Sequence, residues 1–210
     1  MKIVEAGYKI LTPISEGGIE ELKKIELIGR SCYGSIDKIT DDSAKDFVAG
    51  LIKRGHGSPI EHGSITVVFT IDRGVSHEFV RHRLASFMQA STRYLNYGTE
   101  KYDNEITVID PHPFIERGSL AYDIWEDGCL ASEQRYMQLL EAGCKPEMAR
   151  SVLPNSLMTT LTITANYREW RHILSLRCSE RAHPQIREVC RPLLAELKEK
   201  LPVLFDDITY

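Results

Sequence analysis

The chain has 210 residues, with 26 lysines and arginines against 30 aspartates and glutamates, which gives a formal net charge of −4. Apolar residues make up 42% and charged residues 27%, values that are ordinary for a globular domain and exclude an intrinsically disordered chain. The mild acidity argues against general nucleic-acid binding. Because no linker or repeat divides the sequence, we expect a single domain over residues 1–210.

The first half of the chain mixes predicted strands and helices. β-branched and aromatic residues predict the strands, and apolar residues spaced by three or four predict the helices. Ser58 and Glu61 match a capping box with Pro59 at the first helical position, which predicts a short helix there. The other predicted elements are a strand over 2–11, helices over 19–29 and 40–54, a strand over 64–71 and a helix over 75–82.

The second half continues in the same irregular order. Gly143 is typical of a helix end, and Pro184 is typical of a first helical turn. The predicted elements are a strand over 106–109, helices over 119–142 and 146–152, a strand over 157–164, and helices over 167–177 and 184–201. Without a regular βαβ rhythm, this order predicts an α+β fold with a mixed or antiparallel sheet and flanking helices.

Several familiar motifs are incomplete. His77 and His82 belong to an HExxxH sequence, and on a helix they lie about 140° apart, so they cannot share a metal as an i, i+4 pair does. We therefore predict no metal site. A metal hydrolase would need a recognised ligand spacing. None relates the candidate histidines His56, His62, His77 and His82.

Cysteine usage and hydropathy indicate the compartment. The five cysteines form no CxxC pair, which is typical of reduced thiols in a cytoplasmic protein. The longest uncharged stretch, 151–167, is too rich in Ser, Thr and Asn to lie in lipid. We therefore expect a cytoplasmic protein with no membrane partner.

Arginine is concentrated in the middle and later part of the chain. Between Arg73 and Arg191 there are thirteen arginines and only two lysines. Residues 81–94, RHRLASFMQASTRY, interleave three of these arginines with hydroxyl groups. Guanidinium groups grip phosphates and planar rings, so this segment is able to bind an anion. A solvated basic helix end is the plainer interpretation of the RHR triplet alone.

Two further segments carry polar residues in suggestive positions. The 58–62 helix would begin behind Gly55 and Gly57, and such an N-terminus favours a phosphate, although an ordinary cap explains it equally well. On the 167–177 helix, Arg168 and His172 are i, i+4 neighbours. A basic amphipathic helix is the alternative interpretation there.

Taken together, these residues resemble the flavin-dependent thymidylate synthase family. Its motif is RHR, seven further residues and a serine, within a wider RHRxxSxNExSxRY pattern. The residues that match are Arg81, His82, Arg83, Ser86, Ser91, Arg93 and Tyr94. The sequence departs at Met88, where Asn is usual, and at Gln89, where Glu is frequent. The 58–62 block, the 166–168 element and Arg177 follow the family's order.

The resemblance implies that dUMP is methylated to dTMP, with FAD as cofactor and with NADPH and methylenetetrahydrofolate as co-substrates. It also implies a homotetramer whose active sites are shared between subunits. The residues it places at the flavin are Ser58, Arg81, His82, Arg83, Gln89, Asn166, Arg168 and His172. The residues it places at dUMP are Glu78, Arg81, Gln89, Ser91, Arg93, Arg150 and Arg177. Because a carboxylate repels a phosphate, we expect Glu78 to orient an arginine or to meet the sugar.

The implied chemistry needs a way to activate C5 of uracil. No cysteine lies in the motif, so we expect Arg177 to stabilise a deprotonated N3–O4 system, which pushes electron density to C5. Ser91 lacks an evident histidine–carboxylate relay. We therefore expect it to donate a hydrogen bond to the dUMP phosphate rather than to act as a nucleophile.

A different class of function stays open at this point. A non-catalytic RNA- or nucleotide-binding regulator would use the arginines together with stacking surfaces on Tyr94, Tyr97 and Tyr102. The net charge of −4 argues against this alternative.

Overall fold

A computed structural model describes all 210 residues and contains two sheets and eight α-helices. The strands are β1 (Lys2–Val4), β2 (Gly7–Ile10), β3 (Ser64–Asp72), β4 (Ala85–Gln89), β5 (Thr107–Ile109) and β6 (Met158–Asn166). The α-helices are α1 (Ile19–Cys32), α2 (Ser43–Lys53), α3 (Arg73–Phe79), α4 (Leu120–Glu141), α5 (Pro146–Ala149), α6 (Tyr167–Arg177), α7 (Pro184–Lys200) and α8 (Pro202–Phe205). The predicted α+β class is confirmed.

The six strands form a parallel pair and a four-stranded sheet. Strand β1 pairs with β5 in parallel, with Ile3 opposite Val108, and the larger sheet has the order β2-β3-β6-β4. The single strand predicted over 2–11 is therefore wrong. The chain leaves its first ladder at Glu5 and Ala6, so that β1 and β2 join different sheets.

The chain divides into two compact units. The first unit comprises residues 1–7, 69–81 and 87–162, and the second comprises residues 8–68, 82–86 and 163–210. Strands β3, β4 and β6 each contribute residues to both units. A single domain over 1–210 stays a prediction. None of the helices is both long enough and apolar enough to cross a lipid bilayer.

The first unit has an aromatic core. Tyr136 of α4 is fully buried, and its ring packs edge-on against Tyr97 with the two ring centroids 5.7 Å apart. Val108 of β5 and Leu157 are buried in the same cluster. Aromatic pairs of this geometry add about 0.5–1.5 kcal/mol to the free energy of burial.

The core of the second unit fixes helix α6, which carries two of the predicted flavin residues, Arg168 and His172. Helix α6 packs against α7, and Trp170 is fully buried with its indole N–H donating to the Ile65 carbonyl at 2.9 Å. Asn166 caps the helix, because its Oδ1 accepts the Glu169 N–H at 2.8 Å. A cap of this kind contributes about 1 kcal/mol. The exposed face of α6 is therefore held in one orientation.

Two local predictions near the motif are wrong. Residues 59–62 form a short 3₁₀ helix, but the Ser58 side chain makes no cap hydrogen bond, so the capping box does not form. Helix α3 ends at Phe79 instead of continuing to residue 82, so the RHR triplet lies in the turn that leads into β4. Because His82 is not helical, its position cannot be inferred from helical spacing relative to His77.

Candidate active site

A cavity of about 510 Å³ lies in the second unit, beside the N-terminal half of α6. Its walls are Glu61, Leu84, Asn166, Arg168, Glu169 and His172. Three residues that the sequence places at the flavin therefore meet at one opening. They meet because Asn166 ends β6 while Arg168 and His172 follow one helical turn apart on α6.

Arg168 is held at this cavity by an ion pair and by a close backbone approach. Its Nη1 donates to Glu61 Oε1 at 2.6 Å. A Cβ atom on Gly57 would lie 2.9 Å from Arg168 Nε, so a larger residue at position 57 would require the Arg168 side chain to shift. Arg168 is therefore a positioned cation that lies next to a glycine.

His82 lies beside the same helix and is almost fully buried, with 5% of its surface exposed. Its Nε2 accepts a hydrogen bond from Arg177 Nε at 3.0 Å, and its ring is edge-on to His172 with the centroids 5.7 Å apart. Burial, with help from the charge of Arg177 and from His172, lowers the pKa of His82 to about 4. His82 is therefore neutral at pH 7.

We expect His82 to make the stability of the protein depend on pH between 6.5 and 4. The unfolded imidazole, with a pKa of 6.5, binds a proton in this window that the folded imidazole with a pKa of about 4 does not bind. The free energy of unfolding therefore falls as the pH drops through the window, by at most about 3 kcal/mol. Urea unfolding across this range should show the loss in the wild type and a shallower one in His82→Gln. Identical pH dependence in both proteins would contradict the assignment.

His82, Glu169 and His172 also place three potential metal ligands together, with their ligand atoms within 4.8 Å of one another. Helical spacing could not reveal this group, because His82 comes from a different segment. The guanidinium of Arg177 donates a hydrogen bond to Nε2 of His82, so this nitrogen is not available to a metal ion. The fixed positive charge of the guanidinium also opposes a cation at the cluster. The arrangement favours an anionic or neutral ligand over a metal ion.

A second cavity, of about 540 Å³, lies in the first unit. Its walls are Arg73, Thr92, Glu147, Met148, Arg150 and Ser151. Arg150 donates to Thr92 Oγ1 at 3.3 Å, and Arg93 lies 3.9 Å from the Glu147 carboxylate. Nη1 of Arg73 is buried without a hydrogen-bond partner. Three guanidinium groups near one carboxylate leave an excess of positive charge, which suits an anion.

Gln89, Ser91 and Glu78 are three further residues that the resemblance places at dUMP. The Gln89 amide donates to Ser76 Oγ at 2.8 Å and to Thr159 Oγ1 at 3.3 Å, so its carbonyl oxygen is the group left for a ligand. Ser91 Oγ accepts the Arg93 N–H at 3.4 Å. Glu78 is half-buried on α3.

Some predicted residues are not brought to either cavity. Ser58, Arg81 and Arg83 are exposed and line neither of the two cavities. Tyr97, one of the proposed stacking surfaces of an RNA-binding regulator, is 6% exposed and packs against Tyr102. Tyr97 is therefore not available as a stacking surface, whereas Tyr94 is 80% exposed.

Eight residues that line the cavities were missed by sequence analysis: Glu61, Leu84, Glu169, Arg73, Thr92, Glu147, Met148 and Ser151. Glu169 stands three residues after the capping Asn166, where an acidic residue is explained by the helix N-terminus alone. Arg73 directly follows the buried strand β3, and this position at the end of a strand is the one feature of the sequence that could have indicated a site residue. The contacts of both depend on segments that are distant in the sequence.

Comparisons with known proteins agree on one family. The family model described as thymidylate synthase complementing protein matches residues 19–203. A flavin-dependent thymidylate synthase from Corynebacterium aurimucosum is 32% identical, covering 92% of this chain and 82% of the relative. The corresponding protein from Mycolicibacterium vanbaalenii is 34% identical, covering 87% of this chain and 78% of the relative.

The fold is shared with a solved structure. PolB, a UMP/dUMP methylase from Streptomyces cacaoi solved with 5-Br dUMP, superposes with a TM-score of 0.80 at 22% identity, covering 98% of this chain and 96% of PolB. The model match and the alignments with these relatives extend across most of the chain. The chain therefore belongs to the flavin-dependent thymidylate synthase family.

Proposed function

We propose that this enzyme methylates C5 of the uracil ring of dUMP to give dTMP. Methylenetetrahydrofolate donates the carbon and leaves as tetrahydrofolate, NADPH is the reductant, and FAD is the bound cofactor. The names of the relatives support the flavin and the product, and the dUMP analogue in PolB supports the substrate. The observation that carries the proposal is that Asn166, Arg168 and His172, which the family resemblance assigns to the flavin, line one cavity.

The residues of that cavity fit a flavin. Its volume of about 510 Å³ lies within the usual range for cofactor sites, roughly 300–1,000 Å³. Arg168 offers a guanidinium for a diphosphate, the Asn166 amide offers donors for a ring edge, and Leu84 offers apolar surface. Bound FAD would supply the redox chemistry that carries electrons from NADPH to the one-carbon unit.

We expect Arg168→Met to weaken FAD binding about tenfold or more, because a charge-assisted hydrogen bond to the diphosphate is lost. Titration of the full chain with FAD, followed by fluorescence, measures the change. Arg181→Met, which removes an exposed arginine of the second unit, is the matched control and should leave FAD affinity unchanged. Equal affinity in both variants would remove Arg168 from the flavin site.

The second cavity supports a site for the nucleotide phosphate. Arg150 lines it, and Arg93 lies next to its Glu147 wall. Phosphate oxygens accept charge-assisted hydrogen bonds from guanidinium groups, which are about twice as strong as neutral ones. Arg73, which lines the same cavity, adds a third guanidinium that the resemblance does not place at dUMP.

The state of the cysteines favours activation of uracil without a thiolate. Cys178 follows Arg177 directly, but burial raises the pKa of its thiol to about 11, and burial also raises the pKa of Cys129. A protonated, buried thiol is a poor nucleophile. Arg177 would instead stabilise the negative charge that develops on N3 and O4 of uracil, which raises the electron density at C5.

The exposed face of α4 supports the homotetramer that the resemblance implies. Leu120 and Ile124 have 75% and 63% of their surface exposed, although both are large apolar residues on one helix. Exposed apolar surface of this kind is typical of a protein–protein interface. In a tetramer, residues of the two cavities that belong to different subunits would be able to contact the same substrate molecule.

An anaerobic assay tests the whole proposal. The protein loaded with FAD and mixed with dUMP, methylenetetrahydrofolate and NADPH should form dTMP and tetrahydrofolate in equal amounts. Omission of any one component should stop the reaction. Absence of dTMP from the complete mixture, or release of dihydrofolate in its place, would contradict the proposal.

A further inference from the structure

Two buried hydroxyl groups of the first unit hold the side-chain amide of Gln89 at the end of β4. Its Nε2 atom donates to Ser76 Oγ on α3 at 2.8 Å and to Thr159 Oγ1 on β6 at 3.3 Å. Ser76 is 0% exposed and Thr159 is 2% exposed, so water does not compete for either hydroxyl. The amide is therefore held through its nitrogen, and its Oε1 atom makes none of these hydrogen bonds.

The hydroxyl hydrogen of Ser76 is already used within α3. Ser76 Oγ lies 2.8 Å from the Arg73 carbonyl oxygen, which can only accept, so the hydroxyl donates there. A serine hydroxyl has one hydrogen, so towards Gln89 its oxygen can only accept. An amide oxygen turned towards Ser76 would place two acceptors against each other. Ser76 therefore selects one of the two orientations of the Gln89 amide.

Thr159 does not make this selection. Its side chain has one described hydrogen bond, the one from Gln89, so its hydroxyl is able to accept from Nε2 or to donate to Oε1. Without the Ser76 hydroxyl, Thr159 would stabilise the reversed orientation equally well. The original orientation would then leave one buried N–H of the amide without a partner, which is costly, so the reversed orientation would be preferred.

We propose that Ser76 is a positioning residue that makes Gln89 present its carbonyl oxygen, and not its N–H groups, to dUMP. This inference rests on the proposed binding of dUMP next to Gln89. Ser76 stands one helical turn after Arg73, which lines the cavity proposed for the phosphate. The group of dUMP that fits a carbonyl acceptor is an N–H or O–H donor.

The fixed orientation also explains how glutamine serves at a position where the family frequently has glutamate. A carboxylate presents an oxygen atom to the ligand whichever way it is turned. An amide does so in only one of its two orientations. With Ser76 in place, Gln89 offers dUMP the same kind of atom that a glutamate would offer.

A cycle of substitutions separates this role from a structural one. We expect Ser76→Ala to raise the Kd for dUMP about five- to tenfold, because the competent orientation of Gln89 becomes the minor one. In a Gln89→Glu background, Ser76→Ala should leave the Kd unchanged, because a carboxylate has no wrong orientation. Ser132→Ala on α4, which loses a hydroxyl bond to a helix carbonyl, is the matched control and should bind dUMP like the wild type. An equal rise in both backgrounds, or no rise with Gln89 present, would overturn the inference.

An analogue without the sugar hydroxyl identifies the donor on dUMP. If the donor is the 3′-hydroxyl, Ser76→Ala should not change the Kd for 2′,3′-dideoxy-UMP. If the donor is N3–H of uracil, Ser76→Ala should weaken binding of this analogue and of dUMP by the same factor.

A spectroscopic measurement tests the orientation without any ligand. In the full chain with ¹⁵N-labelled glutamine, the side-chain amide hydrogens of Gln89 should show nuclear Overhauser contacts to Ser76 Hβ and to the Thr159 methyl group. Absence of both contacts in the wild type would overturn the inference, even if Ser76→Ala does not fold. If the wild type binds no dUMP, the proposed function fails, while these contacts still report which way the Gln89 amide is turned.

Discussion

Replacement of Arg177 by alanine should lower kcat for dTMP formation about 10²–10³-fold, the usual cost of removing one donor that stabilises developing negative charge. The expected cause is the loss of the guanidinium that would face N3 and O4 of uracil. Because burial keeps the neighbouring Cys178 thiol protonated, with a pKa of about 11, no thiolate is ready to replace it. Single-turnover measurement of dTMP under anaerobic conditions gives the rate directly.

Binding measurements separate this role from a structural one. FAD content should change little in Arg177→Ala, and the Kd for dUMP should rise far less than kcat falls, because the other residues proposed to hold the two ligands are unaltered. Arg177→Lys keeps the charge but lacks Nε, the atom that donates to His82, so it should recover only part of the rate. Near-normal turnover in Arg177→Ala would remove Arg177 from the mechanism.

Replacement of Arg150 by methionine should weaken dUMP binding about 10–100-fold, because a charge-assisted hydrogen bond to the phosphate is worth roughly 1.5–3 kcal/mol. Arg150 lines the cavity of the first unit and donates to Thr92. The turnover number at saturating dUMP should be nearly unchanged, since the proposed contact is to the phosphate and not to the reacting ring. Calorimetry with dUMP measures the effect.

Deoxyuridine, which lacks the phosphate, makes the Arg150 test specific. Its affinity should be the same for the wild type and Arg150→Met. Arg135→Met, which removes an exposed arginine of α4 that bonds Gln138, is the matched control and should bind dUMP like the wild type. If Arg150→Met loses dUMP and deoxyuridine equally, the cavity does not hold the phosphate.

Helix α6 shows how far the sequence leads. The predicted bounds 167–177 agree with the structure because a strand that ends at a capping Asn166 gives a sharp boundary, and because the apolar stripe that includes Trp170 is unambiguous. The same spacing placed Arg168 and His172 on one face, and both line the cavity. Local rules of this kind are reliable where one element supplies several site residues.

The failures lie where distant segments decide the structure. Strand β4 has a short, partly exposed sequence, and its place beside β6 depends on a partner about 70 residues away. The split of residues 2–11 between two sheets likewise depends on β5 and β3, which no local pattern indicates. The approach of His82 to Glu169 and Arg177 follows from the path of a turn, so the sequence could nominate His82 and Arg177 without showing that they meet.

The visible spectrum of the purified protein, recorded after addition of FAD and then under anaerobic NADPH, tests the central claim most directly. The account predicts flavin absorption that stays with the protein through gel filtration, bleaches with NADPH, and returns together with dTMP when dUMP and methylenetetrahydrofolate are added. A folded protein that retains no FAD and instead binds RNA with a steep salt dependence would contradict the account and favour the regulator.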